Sequence, residues 1–147
     1  VFATLFSTGV MMPIGFEYGF RRRLGVVKTR PSDWEEPGWD DTEFIQRVNA
    51  LKTGHSIWNE DSPIESLDSG NPSVAALWKT ARYGKERALL LFNKDRDHEQ
   101  TCRLSSVADR LGNRYSEVTA ELILEPAARR EQITLEPSGF RILLATE

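Results

Sequence analysis

The chain opens on an apolar block. Residues Val1 to Phe16 carry no charged side chain. Within it, Val1 to Thr8 reads as the end of an apolar helix stopped at Gly9, and Val10 to Ile14 as a short run of the kind found in fully buried parallel strands. Gly15 and Gly19 then bracket Phe16, Glu17 and Tyr18, a spacing that predicts a tight polar loop just beyond the strand. Arg21 to Trp39 shows no period, contains Pro31 and Pro37, and is expected to be loop. A helical period returns after Asp40. Phe44, Val48 and Leu51 share one face, with Ile45 beside them, and Asp40 with Glu43 three residues on forms a capping-box pattern. Lys52 falls in the last turn and Gly54 where a left-handed cap would sit, so the pattern predicts a helix over Thr42 to Thr53.

After about Ser62 the pattern changes to short strands separated by turn residues, as in an antiparallel sandwich. Strands are predicted at Val74 to Thr80 and Ala88 to Phe92, joined as a hairpin through Tyr83 and Gly84, and at Gln100 to Leu104 and Val118 to Leu124. The last pair, Gln132 to Leu135 and Phe140 to Ala145, flanks Pro137, Ser138 and Gly139 and reads as a closing hairpin, with Phe140, Ile142 and Leu144 alternating onto the inner face.

Composition narrows the partners. The 147 residues are 39% hydrophobic and 28% charged, with a formal net charge of −3. That describes a soluble globular chain with no electrostatic footprint for nucleic acid or an anionic membrane. Cys102 is the single cysteine, which excludes an intrachain disulfide and a multi-thiolate zinc site and points to a reducing, cytoplasmic setting. His55 and His98 have no third ligand at metal spacing, so neither a metal nor a cofactor is expected. The apolar block is not read as a signal peptide or a span. It has no basic residue before it, and Gly9 and Pro13 interrupt it well short of the roughly 20 residues a span requires. The start at Val1 rather than methionine reads as a part cut or processed from something longer.

The order of these parts resembles the end of an α-amylase-superfamily enzyme, in which a (β/α)8 barrel is followed by an antiparallel β domain called domain C. Gly9-Val10-Met11-Met12-Pro13-Ile14-Gly15-Phe16-Glu17-Tyr18-Gly19 is similar to the family's eighth strand and the loop after it. Phe44 to His55 looks like the last barrel helix, Ala88-Leu89-Leu90-Leu91-Phe92-Asn93 like the domain C strand that ends in Asn, and Ile133 to Leu143 like the closing hairpin. The long loop with Arg30-Pro31-Ser32-Asp33-Trp34-Glu35 looks closer to bacterial glucan-processing transferases, such as the maltosyltransferases, than to simple secreted amylases. Two departures stand out: Pro13 falls later than the family's usual proline, and Ser56 rather than proline follows His55.

The resemblance implies a mainly β fold, with an antiparallel β-sandwich over residues 61–147 preceded by a small α/β remnant of the TIM barrel over residues 1–60. It implies a retaining parent enzyme that needs two carboxylates about 5 Å apart. It places both of them, and a third stabilising Asp, before Val1, so no catalytic residue is expected here and the remainder of the barrel is the expected partner. Glu17 and Tyr18 are candidates for a subsite wall, because barrel enzymes build their sites at the strands' carboxyl ends. The alternative for Glu17 is a structural carboxylate bonded to nearby amides or to Arg21, Arg22 or Arg23. Trp34 and Trp39 are candidates for stacking on an α-glucan, against a core or domain-contact role, and Trp58 and Trp78 are expected in the core. The Arg21-Arg22-Arg23 run could grip a phosphate or carboxylate, or be a solvated patch. Residues 1–16 could also pair two copies of the chain. Two other readings stay open: a free-standing carbohydrate-binding β-sandwich, and an interaction subunit docking through its apolar amino terminus.

Overall fold

The computed structural model describes residues 1–25, 27–104, 108–112, 114–118, 122–127 and 130–145. The chain divides into two compact units, Val1–Asn59 and Glu60–Glu147. No helix among the described residues is long and apolar enough to cross a membrane.

The first unit contains helices α1 (Phe2–Phe6) and α2 (Thr42–Gly54), with 3₁₀ turns at Pro31–Asp33 and Ser56–Trp58. A five-residue helix cannot hold itself together in water; α1 is fixed by Leu5, which is fully buried, and by Lys52. That ammonium, in the last turn of α2 as expected, donates to the carbonyls of Thr4 (2.8 Å), Ser7 (2.7 Å) and Trp58 (2.8 Å). Asn59 Nδ2 donates to the Lys52 carbonyl at 2.7 Å and so satisfies the end of α2. Gly54 therefore does not take up the expected left-handed cap: it is the last helical residue, followed by His55 in extended backbone.

The amino end of α2 also differs from expectation. Asp41 occupies the N-cap position, with no side-chain capping bond, so Glu43 is the second helical residue rather than the third and cannot reach back as a capping box requires. Glu43 pairs with Arg47 one turn on. Asp40, one residue outside, accepts from the Thr42 amide (2.9 Å) and hydroxyl (2.6 Å).

The strand expected at Val10 to Ile14 does not form, and the described residues of this unit contain no strand. A strand needs a neighbour to satisfy its amides and carbonyls, and this unit supplies none. The run is irregular up to a turn in which the Phe16 amide donates to the Pro13 carbonyl at 3.2 Å. Met11 is 94% exposed. Val10 to Pro13 and Phe16 line a groove of about 330 Å³ together with Phe44, Ile45 and Val48 of α2.

The second unit is the antiparallel β-sandwich. Its strands are β1 (Ile64–Leu67), β2 (Val74–Thr80), β3 (Arg87–Asn93), β4 (Gln100–Arg103), β5 (Tyr115–Val118), β6 (Leu124–Ala127), β7 (Gln132–Leu135) and β8 (Phe140–Ala145), with a single-turn helix α3 (Ala108–Leu111) after β4. Six form one sheet in the order β1-β2-β3-β8-β5-β6, and β4 with β7 forms a second. Every pairing is antiparallel. The core between the sheets takes Val74, Ala76 and Trp78 from β2, Leu89 and Leu91 from β3, Cys102 from β4, Ile133 and Leu135 from β7, and Leu143 and Ala145 from β8. Burial alternates along β7, as a sheet with one solvated face requires, whereas Ala88 to Leu91 in β3 are buried without a break.

Three expectations for this unit are corrected. The closing hairpin is not one: β7 pairs with β4, while β8 lies between β3 and β5. Pro137 and Ser138 do make a tight turn, closed by the Gly139 amide on the Glu136 carbonyl (2.8 Å), with Ser138 at φ +54. Proline before a positive φ is type II turn chemistry, but here the turn passes the chain from one sheet to the other. The expected strand over Val118 to Leu124 is instead the end of β5 and the start of β6; residues 119–121 lie outside the described ones. β6 carries Pro126, which is tolerated because β6 is an edge strand. Finally, the face of β8 that joins the core cluster carries Leu143 and Ala145; Ile142 and Leu144, on the other face, are buried too, and of the expected set only Phe140 stays half-buried.

Candidate functional site

The candidate residues Glu17, Tyr18, Trp34 and Trp39 all lie in the first unit, on two segments that clip together. The first is a tight turn: the Tyr18 and Phe20 amides both donate to the Gly15 carbonyl, at 3.2 and 2.9 Å, and the Gly19 amide to Phe16 at 3.2 Å. Gly15 and Gly19 are left-handed, at φ +86 and +68, a conformation that costs a side-chain-bearing residue energy and that glycine adopts freely. The second segment, residues 34–41, returns alongside. The Gly38 amide donates to the Tyr18 carbonyl at 3.0 Å and the Asp41 amide to the Glu17 carbonyl at 2.8 Å.

A carboxylate completes the clip. Glu35 Oε2 accepts from the amides of Arg21 (2.7 Å) and Arg22 (2.8 Å). The bond from the Arg22 amide, with that from Arg21 and the nearby guanidinium charges, holds the Glu35 carboxyl below the ordinary glutamate range. This is the structural role weighed for Glu17, and a different residue fills it. Glu17 itself is half-buried and has no side-chain bonding partner among the described residues.

The aromatic rings are brought together by Phe20, a residue that sequence pattern did not single out. Its ring centroid lies 5.8 Å from that of Tyr18 and 6.4 Å from that of Trp34. Trp39 packs on Gly19: a Cβ placed on that glycine would stand 2.5 Å from the indole. Both tryptophans are about half exposed, Trp34 being 49% and Trp39 53% exposed. Trp58 and Trp78, expected in the core, are 0% and 7% exposed. A cleft of about 290 Å³ is lined by Phe16, Phe20, Arg22 and Arg23 among others, so two arginines of the triplet lie beside apolar rings.

The histidines do not join this site. His55 follows α2, and His98 lies in the second unit with Nδ1 3.3 Å from Asp95. Among the described residues no group of three or more His, Cys, Asp or Glu side chains could hold a metal ion.

No family model matches the sequence, and no curated protein matches it. Among solved structures the chain is similar to Eubacterium rectale Amy13B, with a TM-score of 0.54 and 17% identity over 89% of this chain and 27% of that one. The chain thus spans about a quarter of the length of that structure, and the likeness is one of fold.

Proposed function

We propose that this chain is a non-catalytic, carboxyl-terminal segment of an α-glucan-processing enzyme of the α-amylase superfamily, whose β-sandwich stabilises or shields a catalytic barrel supplied by the rest of the parent protein. The observation that carries the reading is the fold likeness to Amy13B, in which nearly all of this chain corresponds to a minor part of a much larger one. The strand run ending in Asn93, the helix Thr42–Gly54 and the bracketed loop around Glu17 occur in the order the family resemblance expects. In this reading Glu17 and Tyr18 belong to the wall of a sugar subsite. Retaining hydrolysis or transfer needs a nucleophile and an acid on opposite sides of the scissile bond, and both come from the parent's barrel.

The reading of a free-standing binding sandwich is less well supported. Such a module presents aromatic rings along its strands, and the one strongly exposed aromatic among the described residues of the second unit is Tyr83, in the turn between β2 and β3. Assay of the purified chain on maltooligosaccharides tests the proposal. No hydrolysis and no glucan transfer are expected; turnover that persists through repurification and disappears in Glu17→Gln would contradict it.

A further inference from the structure

We infer that the cleft lined by Phe16, Phe20, Arg22 and Arg23 is a binding site for a small aromatic carboxylate, whose ring packs on the apolar wall and whose carboxyl group meets the guanidinium groups. The site draws on the first unit alone and does not depend on the proposed function.

The apolar wall is a product of the glycine turn. The Phe20 amide donates to the carbonyl of the left-handed Gly15 at 2.9 Å, and a Cβ on that glycine would collide with the Phe20 ring, so only glycine lets the ring lie against the turn. Ile14 and Phe16, 55% and 57% exposed, line the same cleft with Leu24. At about 290 Å³ the cleft is at the small end of ligand pockets and suits one or two rings.

The charge in the cleft is of one sign. Arg22 and Arg23 line it, and no acid among the described residues does. Glu35, the carboxylate beside them, directs an oxygen to the Arg21 and Arg22 amides. Neither the Arg22 nor the Arg23 side chain makes a hydrogen bond or ion pair among the described residues. The two amide bonds to Glu35 also fix the backbone that carries the arginines. Beyond them the Gly25 carbonyl accepts from the Thr29 amide at 2.9 Å, so both ends of the segment are held before a ligand arrives. Two guanidinium charges beside one ionised Glu35 leave a single positive charge, which suits a monoanion. A carboxylate matches the planar guanidinium fork, costs less to desolvate than a dianion, and can carry a ring onto Phe16 and Phe20.

Calorimetric titration of the 147-residue chain with 2-naphthoate at low salt tests the site. Saturable binding with a Kd of about 0.1 to 1 mM is expected. The uncharged 2-naphthalenemethanol and the ringless anions acetate and inorganic phosphate should each bind about tenfold more weakly or worse. Arg22→Gln and Arg23→Gln should each weaken 2-naphthoate by about three- to tenfold, and added salt should weaken it in the parent. Phe44→Ala, which alters the other groove of this unit, should leave the affinity unchanged. Both arginines are exposed, so their variants are expected to fold, and circular dichroism verifies it. No saturable heat up to about 10 mM 2-naphthoate, equal affinity for the alcohol or for inorganic phosphate, binding undiminished in both arginine variants, or a loss confined to Phe44→Ala would each overturn the assignment.

Discussion

Leu143→Ala is expected to cost the sandwich about 3 to 5 kcal/mol. Leu143 is fully buried, lies on β8 in the middle of the six-stranded sheet, and belongs to the core between the two sheets. Its neighbours on that face, Leu89 on β3 and Ile133 and Leu135 on the facing sheet, sit in a framework of paired strands that cannot collapse into the space. Phe140→Ala, at the half-buried start of the same strand, should cost less than half as much despite the larger side chain removed. Urea unfolding followed by circular dichroism compares the two. If Phe140→Ala were the more damaging, the inner face of β8 would be the one suggested by simple alternation.

Asn93→Ala should cost about 2 to 4 kcal/mol, a large effect for a polar residue, because it orphans several groups at once. Asn93 ends β3 with only 5% of its surface exposed. Its Nδ2 donates to the carbonyls of His98 (2.9 Å), Leu135 (3.3 Å) and Glu136 (2.9 Å), and its Oδ1 accepts from the Asp95 amide at 2.9 Å. It thereby ties the end of β3 to the end of β7, in the other sheet, where the chain leaves for β8. Asn93→Asp is close in shape and should be no better than alanine at neutral pH, since it turns a carboxylate toward three carbonyls. The same unfolding experiment checks both; an Asp variant as stable as the parent would mean that the amide is not the tie.

These two positions show what could be read from sequence and what could not. The bounds of α2 and of β2, β3, β7 and β8 follow from local period and turn residues, and the pattern locates them to within a residue or so. Pairing is not local. Pro137 to Gly139 signals a reversal, but nothing in that turn says whether the strand beyond it returns to β7 or crosses to β3. The face of β8 was hidden by Arg141. A charged residue in an apolar strand normally marks the solvent side, and here it lies on the core side, paired with Leu91 across the sheet. It can do so because the largely buried Glu117 meets it at 3.1 Å, with Arg130 on the other carboxylate oxygen at 3.4 Å. The expected set of Phe140, Ile142 and Leu144 lies on the opposite face, where Ile142 and Leu144 are buried as well.

The candidate site was legible to a similar extent. Tryptophans in a proline-broken loop and glycines bracketing Glu17 are visible signals, and the structure brings Tyr18, Trp34 and Trp39 to one locus through Phe20 and Gly19. Phe20 and Glu35 carried no signal. One acts by filling the space between two rings and the other by accepting two backbone amides, and neither action leaves a period or a motif. The strand expected at Val10 to Ile14 failed for the converse reason: its composition suits burial between neighbours, and composition alone supplies no neighbour.

The proposed role turns on what the parent gene encodes, so the most direct measurement is the coding sequence read upstream of Val1. A (β/α)8 barrel with three acidic residues at its strand ends is the expected result. A start codon at that point, with no barrel before it, would contradict the account.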